Sequence, residues 1–133
     1  MTSNFPLLRG WRPDSKQTDV DASTVDDFVA ANSITDLQIM RIDTEGTEDA
    51  VLDGASTTIA GQQPFVICEV LAYGGTADRL TEQLRDAGYD FFLLGNDGPR
   101  AADHVLGNAI SVCPNYLFVP RSRLARAQAV LGL

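Results

Sequence analysis

Residues 37–46 read LQIMRIDTEG. Leu37, Ile39, Met40 and Ile42 place apolar side chains on both parities. Successive strand residues face opposite ways, so a strand with this pattern is buried on both sides. Such a strand belongs to a sheet with helices on both faces, the arrangement of an α/β domain. It ends in Asp43 and Glu45, with Gly46 straight after, where a glycine lets the backbone turn tightly.

The chain on either side repeats the alternation of strand and helix. Residues 1–17 carry Pro6, Pro13 and Gly10 and no clear period, and read as an irregular or extended lead-in. Phe5, Leu7, Leu8 and Trp11 are available there to dock onto a core. Ser23 reads as the N-cap of a short helix, with Asp26 and Asp27 in its first turn and Val25, Phe28 and Val29 as its apolar face. After the strand at 37–43, a helix is predicted from about Thr47. Glu48 and Asp49 lie in its first turn, and Val51, Leu52, Ala55 and Ile59 recur at helical spacing. Gly54 is placed to break or bend it.

The stretch FVICEVL, 65–71, is a second buried strand, ending around Glu69. Thr76 can cap a helix with Leu80, Leu84 and Ala87 on one face, and Gly88 can end it. YDFFLL, 89–94, is a third strand, and NYLFVP, 115–120, a fourth. Residues 95–114 between them are polar and glycine-rich and read as a long loop. A last helix from about Arg121 carries Leu124, Ala127 and Leu131 on one face. The expectation is a sheet of about four strands, mostly parallel, with the third and fourth forming an antiparallel pair because no helix separates them.

Composition narrows the function. The chain has 133 residues, 44% hydrophobic and 21% charged, enough for one domain with a sizeable core. A net charge of -8 argues against nucleic acid as a partner. Arg121, Arg123 and Arg126 cluster, and read as a solvated helix face. Cys68 lies in an apolar strand and reads as a buried free thiol; Cys113 is far from it in sequence. His104 falls in the long loop and reads as a surface residue. No basic stretch followed by a long apolar run opens the chain, and no run is long enough to span a membrane, so a cytoplasmic location is expected.

In open parallel sheets, ligands bind beyond the carboxyl ends of the strands. Asp43 and Glu69 fall at such ends on strands expected to be neighbours, and Glu45 follows Asp43. Three carboxylates on one rim can act as a general base, a divalent-cation site, or acceptors for a hydroxyl- or amine-bearing ligand. They can equally do no more than cap helices and start loops. A cation there would be Mg²⁺ or Ca²⁺, since the ligands would be oxygens.

These residues carry a resemblance. TVDDF at 24–28, RIDTEGTEDAVLDGA at 41–55, ICEV at 67–70, GYDFFLL at 88–94 and NYLFVP at 115–120 resemble, in order, the motifs of the C-terminal half of the FkbM family of methyltransferases. Arg41 stands where that family usually has lysine, which keeps the charge but replaces a point charge with a planar donor group. The resemblance implies methyl transfer from S-adenosylmethionine to a hydroxyl of a sugar or other natural product. It places Asp43 beside the reacting methyl group, with Glu45 and Glu69 on the substrate side as catalytic candidates. It assigns Arg41 and Gly46 to substrate binding and points to no metal. Residues 18–133 then stand for the C-terminal part of a Rossmann-like methyltransferase domain whose first three strands are missing.

The cofactor side of that resemblance has no counterpart here. Such folds hold the cofactor with a glycine-rich turn after an early strand. Between Gly10 and Gly46 this chain has no glycine. The strand at 37–43 would be an edge, although its apolar pattern suits an interior position. Its open side is therefore expected to pair in a homodimer through residues 37–43, or with a complementing N-terminal chain, or with a substitute strand from residues 1–22. A hydroxyl-bearing small molecule is the expected substrate. The alternatives are a non-catalytic α/β module acting by association and a divalent-metal enzyme built on the same carboxylates.

Overall fold

The computed structural model describes residues 19–44, 46–71, 75–107 and 115–133. The lead-in 1–17, Glu45, Tyr73, Gly74 and Cys113 lie outside them.

Helix α1 (Val25–Ala31) is capped by Thr24 rather than Ser23; the Thr24 hydroxyl accepts the Asp27 N–H at 3.0 Å. Its apolar face is narrower than the sequence suggests. Val25 packs on the core, but Phe28 is exposed. No strand forms at residues 19–22. Strand β1 (Ile39–Ile42) is followed by α2 (Glu48–Asp53) and α3 (Ser56–Gln62). The break between these helices falls at Gly54 and Ala55, as the glycine suggested. Asp26 on α1 caps α3 from a distance: its carboxylate accepts the N–H groups of Thr57 and Thr58 at 2.9 and 2.8 Å.

Strand β2 (Phe65–Glu69) leads to α4 (Thr76–Asp86). The residue before that helix is Gly75, at φ +82°, so Thr76 is the first helical residue and not the cap. Gly88, also at φ +82°, follows its end, a left-handed position that glycine occupies without steric cost. Strand β3 (Tyr89–Gly95) turns through Asn96 and Asp97 into β4 (Gly98–Ala102). Strand β5 (Asn115–Pro120), a 3₁₀ turn at Arg121–Arg123 and α5 (Leu124–Leu131) complete the fold.

The sheet has five strands in the order β1-β2-β5-β3-β4. Only β1 and β2 are parallel; β2–β5, β5–β3 and β3–β4 are antiparallel. The expected four-stranded, mostly parallel sheet is thus corrected to a mixed sheet of five. The physical reason lies in the connections. Helices α2 and α3 provide the crossover that a parallel neighbour of β1 needs. Helix α4 carries the chain past one vacant position, and β5 returns into that gap from the far side. The antiparallel pairing of the 89–94 and 115–120 strands is as the sequence implied.

Both faces of the central strands are covered, but the burial on both sides expected of the first strand is corrected: among the described residues β1 lies at the edge, its Ile39 is 58% exposed and only its Ile42 is buried. On one face of the sheet, Val66, Cys68, Phe91, Tyr116 and Phe118 pack against Leu52, Ile59, Leu80 and Leu84 of the helices. Phe91 meets Phe118 edge to face at 5.5 Å, and Tyr116 stacks on Phe118 at 5.9 Å, arrangements that aromatic pairs favour. On the other, Phe65, Ile67, Phe92, Leu117 and Val119 meet Leu124 and Ala127 around α5. The alternation along β2 and β5 is what both-parity apolar strands produce.

The arginine cluster is not merely a solvated face. Arg121 pairs with Asp90 at 3.0 Å. Half-buried Arg123 donates to the Gln38 side chain and the Gln62 carbonyl, and Arg126 also reaches Gln38. These contacts tie α5 to the foot of β1.

Asp26 sets an acid limit on stability. Burial opposes its ionisation, but hydrogen bonds from the side chains and backbones of Thr58 and Thr57 outweigh it and hold the carboxyl below its ordinary value of 3.8. A depressed folded value means that the stabilisation is present above the unfolded value and is lost as pH falls through the folded one. Asp26→Asn should therefore lower stability at neutral pH by about 1 kcal/mol, the scale of a lost helix cap. In urea titrations across pH, the gap from wild type should narrow only below pH 3.8; a gap that is constant down to pH 2 or so would contradict the assignment.

Candidate functional site

The carboxyl ends of β1 and β2 lie side by side. Ile42 is level with Cys68 in the parallel register, so Asp43, just past the end of β1, and Glu69, the last residue of β2, share one rim. Asp43 is partly exposed and pairs with Arg41 at 2.7 Å. Two residues apart on a strand, these side chains leave from the same face. Glu69 is half-buried at the end of β2, opposite Asn115 on β5. The structure thus pairs Asp43 with Arg41 and places Asp43 and Glu69 at neighbouring strand ends. Glu45 lies outside the described residues.

Gly46 is at φ +105°, a conformation that side-chain-bearing residues rarely adopt. Its backbone is occupied inside the protein. The Gly46 N–H donates to Glu48 Oε1 at 2.9 Å, and its carbonyl accepts the Thr76 hydroxyl at 3.3 Å. The first residue of α4 therefore holds the turn that follows β1.

Glu48 escaped the sequence reading, which took it for an ordinary first-turn acid. It is 1% exposed. Its Oε1 accepts the Thr44 N–H at 3.3 Å, the Thr44 hydroxyl at 3.2 Å and the Gly46 N–H. Its other oxygen is buried without a hydrogen-bond partner among the described residues. A signal was present in the spacing. Glu48 stands four residues before Leu52, and Leu52, Ala55 and Ile59 mark the buried side of the helical stretch. Asp49 beside it is also buried, paired with Arg79 at 2.9 Å; Arg79 bridges on to Asp53 at 3.1 Å and so fastens α2 to α4.

Cys68 lies under this rim, fully buried and free, as expected. Burial, with the charges of Glu48, Asp43 and Glu69 adding to it, pushes its thiol up to about 12. It remains a protonated thiol at neutral pH and donates to the Glu69 carbonyl at 3.4 Å. Nucleophilic thiol chemistry needs the thiolate, so Cys68 is a packing residue here. His104 is exposed.

The rim can therefore accept protons and hydrogen bonds, and it presents one guanidinium. Among the described residues no group of three or more His, Cys, Asp or Glu could hold a metal ion. Among the described residues no helix is long and apolar enough to cross a membrane. A separate cleft of about 400 Å³ lies between the sheet and α5, lined by Ile39, Phe65, Ile67, Leu117, Val130 and Leu131 among others. It carries little chemistry, because its walls are almost wholly apolar, and it abuts β1 through Ile39.

Two comparisons add nothing to this geometry: no curated protein and no solved structure matches the chain. A third does. The family model described as the methyltransferase FkbM domain matches residues 2–91, a span that takes in β1, the turn at Gly46, Glu48 and β2. With well over half of its 133 residues inside that match, the chain belongs to the FkbM methyltransferase family.

Proposed function

We propose that the protein takes part in methyl transfer from S-adenosylmethionine to a hydroxyl of a sugar or related natural product, and that this chain supplies the acceptor side. One observation carries the reading: within the family match, Asp43 and Glu69 stand together at the carboxyl ends of two parallel strands. That is where an α/β sheet places its ligands.

The residues present fit part of the cofactor. Carboxylates on a rim suit a positive sulfonium and the hydroxyls of a ribose. The glycine-rich turn that such folds use is not among residues 11–45, which contain no glycine, and both polar groups of the Gly46 backbone are engaged internally. On this reading a complementing chain, adding a strand beside β1, brings that turn.

Bound S-adenosylmethionine supplies an electrophilic methyl group. The chain's own residues then orient the acceptor and manage its proton. Asp43 accepts the hydroxyl proton as the oxygen attacks, and Glu69 holds the acceptor by a second hydrogen bond. Arg41, already on Asp43 at 2.7 Å, orients that carboxylate and can reach an acceptor oxygen. Glu45 completes the substrate side, with Gly46 contributing the tight turn after it and not a free polar group.

A second reading rests on a different observation. Among the described residues β1 pairs only with β2, its Ile39 is 58% exposed, and the apolar cleft adjoins it. A strand with an open edge and an apolar flank pairs with other chains. A module acting by association alone would have this property too.

Three measurements decide among these. Calorimetric titration of the chain alone with S-adenosylmethionine should give weak or no binding; a dissociation constant in the low micromolar range would overturn the need for a complementing chain. With that chain present, transfer of labelled methyl groups to a panel of sugar acceptors should fall by roughly a hundredfold or more in Asp43→Asn, the scale of a lost general base, and less in Glu69→Gln. Full activity of Asp43→Asn removes the residue from the proton-accepting role. Light scattering over a concentration series should show association through residues 37–43, with the β1 amides protected from exchange. A monomer at every concentration with those amides unprotected refutes association at this edge.

A further inference from the structure

A buried carboxylate needs a reason. Taking an ionised group out of water costs several kcal/mol unless partners replace the lost hydration. Glu48 is 1% exposed, and its partners are three hydrogen bonds to a single oxygen. None of them serves its own helix. All three donors lie earlier in the chain, on Thr44 and Gly46, so the side chain points back beneath the turn that leaves β1. Thr47, which precedes α2, makes no capping bond to the helix either; its hydroxyl donates to the Thr44 carbonyl at 3.3 Å. Thr76 fastens the same turn from α4 through the Gly46 carbonyl. The turn is held from below by Glu48, from its own end by Thr47 and from the side by Thr76.

What this arrangement determines is the direction in which the chain departs from Ile42. Thr44 directly follows Asp43, and its N–H and hydroxyl are both committed to Glu48. A residue whose neighbour is tied down on two groups has little freedom of its own. We propose that Glu48 is a positioning residue of this site: through Oε1 it fixes Thr44 and Gly46, and so holds Asp43 at the rim beside Glu69. The inference rests on the reading of Asp43 as the proton-accepting group, and it names a residue that acts through Asp43 without touching substrate. A glutamine of the same shape presents the same acceptor oxygen at lower desolvation cost.

The test is amide hydrogen exchange on the purified chain, followed at Thr44 and Gly46 and, as an internal reference, at Val66–Glu69 of β2. In Glu48→Ala, exchange at Thr44 and Gly46 should accelerate roughly ten- to a hundredfold, the scale of hydrogen bonds to a charged group, while β2 is unchanged. Glu48→Gln should restore most of the protection, and Glu48→Asp, one methylene short, should not. Unchanged exchange at both amides in Glu48→Ala overturns the proposal. So does a variant that fails to fold, or one that loses protection through β2 as well, since Glu48 would then support the fold rather than the turn. This readout needs no methyl transfer. A protein without transferase activity, but with the expected exchange pattern, would sink the functional reading and leave the role of Glu48 in the turn standing.

Discussion

Strand β5 must satisfy hydrogen bonds along both edges and bury side chains on both faces, and the rest of the sheet is arranged around that demand. It is the strand between β2 and β3, antiparallel to each. Tyr116, Leu117, Phe118 and Val119 are all buried, two toward each face. An unpaired backbone group inside a protein costs as much as a lost hydrogen bond, so such a strand cannot sit at an edge. It cannot run parallel to β3, because among the described residues no helix lies between the two strands to carry a crossover. Once β5 returns antiparallel beside β3, the mixed character of the sheet follows. Only the β1–β2 pair, joined through α2 and α3, keeps the parallel geometry that creates a rim of carboxyl ends.

The parts of this fold that were legible in the sequence are those with strong periodicity. Both-parity apolar runs gave the strands around residues 39–42, 65–69, 89–95 and 115–120, and helical spacing gave the core face of α4. The edge strand β4 was not legible. Gly98, Pro99, Arg100, Ala101 and Ala102 have neither β propensity nor alternation. What makes them a strand is pairing with β3 across a tight turn at Asn96 and Asp97, followed by Gly98 at φ +102°. Asn-Asp-Gly is a hairpin signal in its own right, hidden by reading the whole polar stretch as a loop. Pro99 is tolerated because β4 has only one neighbour among the described residues, so one side of its backbone needs no donor. The clamp of Arg123 on Gln38 and Gln62 was equally hidden, since nothing local to an arginine announces a partner so distant along the chain.

The site divides in the same way. Asp43 and Glu69 were legible because each closes an apolar strand, and strand ends are where an α/β sheet exposes chemistry. Glu48 was obscured by a rule that usually holds, that acids in a first helical turn serve the helix dipole in solvent. Its burial is a tertiary property. It depends on α4 passing close enough for Thr76 to reach Gly46, and no local pattern contains that contact.

Charge on this rim is unbalanced, and the imbalance bears on what the rim can receive. Asp43, Glu69 and the buried Glu48 all act on Cys68 in the same sense. One arginine, more than half exposed, offsets Asp43 from outside. Exposed pairs of this kind contribute little to stability, because water already solvates both partners. The attraction strengthens if water is displaced, as the effective dielectric falls. A neutral apolar ligand would therefore leave Asp43 and Glu69 facing a drier site with no new partner, at a cost. A ligand bringing hydroxyl donors or a positive centre would instead give those oxygens what solvent had provided. The apolar cleft beside α5 has the opposite character, with almost no polar wall. The two surfaces flank the same short strand, β1, and cannot serve the same class of ligand: polar chemistry belongs at the end of the strand and association along its side.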